Sequence, residues 1–137
     1  MRYRLLEHTA DLRLEIFGEN LEGLFANAAF ALFDCMLDEL PSAGERQESV
    51  SLTAPDLGEL FLDWLRELLF LFATRGLVAV RVEFSELEPT RLRATLDVTT
   101  YQPERHGLKL EIKTPTYHQF EIGPFEGGYR AVVLFDV

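Results

Sequence analysis

Between Asp56 and Gly76 the chain reads DLGELFLDWLRELLFLFATRG, and this stretch constrains the fold more than any other. Leu57, Leu60, Phe61, Trp64, Leu65, Leu68, Leu69 and Phe72 recur at three- and four-residue steps, the spacing of one helix face. Leu62, Phe70 and Leu71 lie outside that stripe. Such a helix is central, covered from more than one side, or else shows part of its surface to a partner. Asp56, after Pro55, is placed to cap its start and Gly76 to end it. An earlier helix follows Asn20, with Leu21, Leu24, Phe25, Ala28, Ala29, Leu32, Phe33 and Met36 on the same repeat.

Elsewhere the period falls to two. Strands are expected over Arg2 to Leu6, Leu12 to Phe17, Ser49 to Thr53, Val78 to Phe84, Leu92 to Thr99, Leu108 to Ile112, Phe120 to Ile122 and Tyr129 to Phe135. Arg13, Glu15, Arg81 and Glu83 fall on their polar sides and read as outward charges. The Gly127–Gly128 pair predicts a hairpin into the last strand. Together these elements predict an α+β fold: a mainly antiparallel, half-buried sheet packed with two main helices. A chain of 137 residues fits one domain with a core large enough to need no metal or disulfide. Asp38 to Glu48, with Pro41, Ser42 and Gly44, is the expected mobile loop. There is no internal repeat, low-complexity tract or linker.

Charge and composition narrow the function classes. Asp and Glu number 23 against 13 Lys and Arg, a formal net charge of −10. That surface repels a phosphate backbone, and no Lys/Arg cluster offsets it, so strong direct nucleic-acid binding is disfavoured. The balance suits a cation site, a basic protein partner, or solubility alone. No apolar run reaches the roughly 20 residues that span a bilayer, and MRYRLLEHTAD lacks a secretory pattern, so a cytosolic location is expected. Cys35, the single cysteine, falls in the first helical pattern and reads as a buried structural thiol.

Polar residues crowd the entrance to the second strand, in EHTADLRLEIFG. Asp11 stands just before that strand, and Asp136 and Val137 stand at the end of the last one, after the apolar run AVVLF. Carboxylates brought together there would repel one another unless protonated or bridged by a cation, and hard cations such as calcium or magnesium take oxygen ligands. Spacing does not show that the two acids meet, and the residues alone equally describe a turn or cap at Asp11 and a solvated end at Asp136. His8, His106 and His118 are too dispersed for a zinc site. His8 and His118 border strands, where each serves as an acid–base candidate or simply bonds a loop. The PERHG segment, Pro103 to Gly107, reads as a charged hairpin loop. The chain has no nucleophile elbow, P-loop or dinucleotide fingerprint.

Taken in order, HTADLRLEIFG, NLEGLFANAAFALF, DLGELFLDWLRELLFLF, PERH, KTPTYHQFEI and GGYRAVVLFDV resemble the archease family over nearly the whole chain. The departures are small: Pro115 in KTPTYH, Arg66 within DWLRELL, and Val137 where isoleucine is common. The resemblance implies a non-enzymatic protein cofactor of a GTP-dependent RNA ligase, which joins 3′-phosphate or 2′,3′-cyclic phosphate ends in tRNA splicing and RNA repair. Archeases promote guanylylation of that ligase's active-site histidine and permit repeated turnover. The family's divalent-cation site, associated with calcium and open to magnesium or manganese, maps onto Asp11, Asp136 and the terminal carboxylate of Val137. His8, Glu104, Arg105, His106, Lys113 and His118 are the expected ligase-contacting residues. Two other classes compete: a chaperone-like module using apolar surface around the second helix, and a metal-dependent hydrolase or phosphotransferase using the carboxylates with His8 or His118 as base.

Overall fold

The two helices begin and end on the signals expected of them. The computed structural model describes residues 1–6 and 11–137. Helix α1 spans Leu21–Met36, and the Asn20 side chain accepts a hydrogen bond from the Gly23 amide at 2.7 Å. Helix α2 spans Leu57–Arg75, with the Glu59 amide donating to Asp56 Oδ1 at 2.9 Å. Gly76 ends α2 in the left-handed region (φ 64°), its amide reaching back to the carbonyls of Leu71 and Phe72. That conformation suits a residue without Cβ.

Among the described residues seven strands accompany the helices: β1 (Tyr3–Leu6), β2 (Leu12–Gly18), β3 (Arg46–Thr53), β4 (Leu77–Glu88), β5 (Arg91–Thr100), β6 (Thr114–Phe125) and β7 (Gly128–Asp136). They form two antiparallel sheets, ordered β1-β2-β7-β6 and β3-β5-β4. This is the expected α+β architecture. Helix α1 packs on β1, β2 and β7 of one sheet and β4 of the other, while α2 packs on β6 and on β3, β4 and β5. Each helix therefore joins both sheets, which is why α2 carries apolar residues so far round its circumference. Leu62 and Leu71 are buried with the main stripe, and Phe70 is left exposed. The Trp64 indole donates to the Phe25 carbonyl at 2.9 Å, and Phe25 meets Phe61 edge-on at 5.1 Å, locking the helices together. Cys35 is buried and burial pushes its thiol pKa up, so it stays protonated and structural.

Four expectations are corrected. Leu108 to Ile112 alternates like a strand yet finds no neighbouring strand to pair with. Instead Leu108 makes an isolated bridge to Leu37, and the amides of Lys109 and Leu110 donate to the Met36 carbonyl left open at the end of α1. Pro103–His106 is one helical turn, α3, rather than a hairpin loop. Residues 46–48 belong to β3 rather than to the preceding loop, whose Asp38 and Glu39 amides are held by the carbonyls of Gly107 and His106. Glu15 points away from the core, as expected, but is only 3% exposed.

Strand β6 is longer than its apolar pattern indicates. Thr116 faces Leu134 and Glu121 faces Val132, so Tyr117 to Phe120 bulge opposite a single β7 residue. Gln119 there adopts a positive φ of 55°. Pro115 fits because β6 is an edge strand, where a missing amide need not break a ladder. The β6–β7 hairpin turns at Glu126 (φ 48°) and Gly127 (φ 82°), between the paired Phe125 and Gly128. Positive φ at both central residues is the tight turn that matches the strand twist.

Candidate functional site

Strand β2 pairs with β7 from Leu12↔Phe135 to Gly18↔Tyr129. Side chains alternate between faces along each strand. Leu14, Ile16, Ala131, Val133 and Phe135 enter the core. Arg13, Glu15, Val132, Leu134 and Asp136 therefore share the opposite, outer face. The ladder ends at Leu12↔Phe135; Asp11, in a bend, directly precedes Leu12, and Asp136, the last residue of β7, directly follows Phe135, so both come at the same end of the sheet. Asp136 also faces Thr114 on β6, and its carbonyl accepts the Lys113 amide at 2.9 Å. Asp11, Asp136, Val137 and Lys113 thus meet at one end of the four-stranded sheet. Asp136 and Lys113 are exposed, Asp11 is half-buried, and Val137 is 37% exposed.

Among the described residues the candidate metal donors at this sheet end, Asp11, Asp136 and the main chain of Val137, are oxygens, with no imidazole or thiolate. In kind they fit a hard cation rather than zinc. Two aspartates do not make a complete shell: among the described residues no group of three or more His, Cys, Asp or Glu side chains stands close enough to hold a metal. Further oxygens have to come from the main chain, Val137 or a partner.

The same outer face carries a second polar arrangement. Glu15 bonds the guanidinium of Arg4 through one carboxylate oxygen and that of Arg130 through the other. Burial pushes its carboxyl pKa up, but the hydrogen bonds and charges of Arg130 and Arg4 outweigh this and hold it below the ordinary value. Arg13, two residues before Glu15 on that face, buries its Nε with no hydrogen-bond partner among the described residues, and so does the Thr116 hydroxyl. Both face Leu134 from opposite sides, in the row next to Asp136.

Other sequence candidates lie elsewhere. His118 is exposed on the β6 bulge, and Glu104 and Arg105 are exposed on α3. His106 is not a surface contact residue: it is 7% exposed, and its Nδ1 accepts the Gln102 amide at 2.9 Å. The short turn folds the ring back onto its own start, against Tyr101. His8 lies outside the described residues. Arg13, Arg130 and Thr116 were not singled out as site residues by sequence; the available signal was the period-two pattern that set Arg13 and Glu15 on one side of β2.

Comparison with known proteins is decisive at the level of family. A sequence model of the Archease protein family matches residues 3–137. The chain belongs to the archease family. Protein archease of Methanosarcina mazei is 38% identical, covering 99% of this chain and 96% of the relative. Protein archease of Archaeoglobus fulgidus is 34% identical over the full length of both. The solution structure of Methanobacterium thermoautotrophicum protein 1598 matches this archease with a TM-score of 0.72 at 29% identity, covering 99% of each chain. A Thermotoga maritima crystal structure, described as an archease and possible chaperone, shares the fold with a TM-score of 0.67 at 22% identity, over 100% of this chain and 98% of that one. Among the described residues no helix is long and apolar enough to cross a membrane.

Proposed function

We propose that this archease is a non-catalytic activator of a GTP-dependent RNA ligase that joins 3′-phosphate or 2′,3′-cyclic phosphate ends. It promotes guanylylation and repeated turnover of that ligase in tRNA splicing or RNA repair. The observation that supports the reading is the β2–β7 ladder, whose last pair, Leu12↔Phe135, is followed at the same sheet end by Asp11 on one chain segment and by Asp136 and Val137 on the other. Asp11, Asp136 and a main-chain oxygen of Val137 hold a divalent cation there, calcium first, with magnesium and manganese as the other oxygen-preferring choices. Such an ion neutralises the two carboxylates and offers open coordination positions to oxygens of the ligase or its nucleotide. Lys113, exposed just before β6, and His118, exposed on the β6 bulge, lie on the ligase-facing surface, and the amide of Lys113 fixes the Asp136 main chain. The net charge of −10 favours docking on a basic protein surface over direct RNA capture.

Multiple-turnover ligation of an RNA bearing a 2′,3′-cyclic phosphate tests this. Wild type raises turnover in the presence of ligase, GTP and divalent ions, and alone alters neither RNA nor GTP. Asp11→Ala and Asp136→Ala abolish the stimulation while remaining folded by circular dichroism. Folded variants that stimulate like wild type refute the reading. The alternative is a chaperone-like binding module, which on α2 has exposed Phe70 to use, while Leu62 and Leu71 are covered.

A further inference from the structure

We infer that Arg13 is a built-in counter-charge of the Asp11–Asp136 pair and sets the affinity of this sheet end for cations. The inference rests on the cation reading above and concerns a residue that reading leaves without a role. Arg13 shares the outer face of the sheet with Asp136: it pairs with Leu134, two residues from Asp136 along β7, and Asp11 lies two residues before it, just ahead of β2. Same-face neighbours at such diagonal positions stand about 7–8 Å apart.

Glu15, on the same face, is already committed. Glu15 gives one oxygen to Arg4 and the other to Arg130. Across Leu134, Thr116 leaves its own hydroxyl unpartnered rather than taking up Arg13 Nε. A buried guanidinium Nε–H without an acceptor is costly, and Asp136 supplies a carboxylate in the adjoining row, with Asp11 at the same sheet end. Without an ion, the Arg13 charge offsets the repulsion between the two aspartates. Cation binding is then an exchange, in which the arriving divalent charge displaces the influence of a resident monovalent one.

The size of the effect follows from Coulomb's law. A single positive charge about 7–8 Å from a divalent ion, at an effective dielectric constant between that of a protein surface and that of water, weakens binding on the order of tenfold. The effect is screened by salt, because the Debye length at about 0.1 M is close to this separation.

Calcium titration calorimetry on wild type, Arg13→Gln and Arg13→Lys, at low and high salt, tests the inference. Arg13→Gln binds calcium about tenfold more tightly at low salt, the advantage shrinks at high salt, and Arg13→Lys binds like wild type. Thermal unfolding gives a second readout: calcium-free Arg13→Gln melts lower than wild type and gains more from added calcium. Arg13→Met, which keeps the aliphatic stem over Leu134, repeats the measurement should the glutamine variant fold poorly. Equal calcium affinity in wild type and the charge-removing variants overturns the role of Arg13 alone. Absence of calcium binding in all of them overturns both this inference and the cation reading.

Discussion

Replacing Glu15 by Gln tests whether the ionic triad on the outer sheet face stabilises the fold. Glu15 is 3% exposed, with Arg4 on one oxygen and Arg130 on the other. The two pairs are unequal. The Arg4 side chain is 57% exposed and recovers water when released, so its pair contributes about 0.2–1 kcal/mol. Arg130 is 28% exposed and also lies over the Phe125 ring at 5.4 Å. Its loss falls between surface and buried cases, at about 2 kcal/mol. Glutamine adds a penalty by turning an amide N–H₂ toward a guanidinium, so the total is about 2–4 kcal/mol. For a chain of this length, about 3 °C per kcal/mol converts that to a loss of about 6–12 °C in Tm.

The pH dependence has a definite sign. The folded-state pKa of Glu15 is depressed by its arginine partners against the opposing effect of burial. Its contribution is therefore fully present above the unfolded pKa of about 4.3 and is lost as pH falls through the lower folded value. Urea unfolding, followed by circular dichroism and by the fluorescence of the buried Trp64, measures this difference from pH 7 down to pH 3. The gap between wild type and Glu15→Gln closes in acid. A gap under about 0.5 kcal/mol at pH 7, the range of ordinary surface substitutions, refutes the reasoning, as does a gap that persists unchanged at pH 3.

Asp11→Ala and Asp136→Ala, without calcium, match or exceed wild type in denaturant stability, because each removes one of two carboxylates at one sheet end; a loss above about 1 kcal/mol by urea titration would mark these acids as structural. Gly76→Ala destabilises by about 1–2 kcal/mol in thermal melts through backbone strain alone, since the residue has φ 64° and an added Cβ meets nothing within 4 Å.

How much of this was legible beforehand depended on the range of the interactions. The helix boundaries at Asn20, Asp56 and Gly76 rest on contacts within one turn, so local chemistry announces them. The strand pattern was also readable, because alternation follows from the pleat. It failed at Leu108 to Ile112, where alternation is present but a strand partner is not, and it understated β6, whose bulge at Tyr117 to Phe120 interrupts the period. Glu15 and His106 were misjudged for a related reason: what covers or satisfies a polar side chain is set by Arg4, Arg130 and the Gln102 amide, not by its own pattern.

The amino-acid order by itself determined the fold class, the two capped helices, the alternating faces of most strands and, through its motifs, the archease family. Only the tertiary structure decided that Asp11 and Asp136 come at the same end of one sheet and that Arg13, paired with Leu134, sits in the row next to Asp136. Those placements follow from the antiparallel ladder between β2 and β7, strands near opposite ends of the chain. A ladder register is chosen by which residues bury together on the shared core face. That is a property of the packed pair, and neither strand carries it alone.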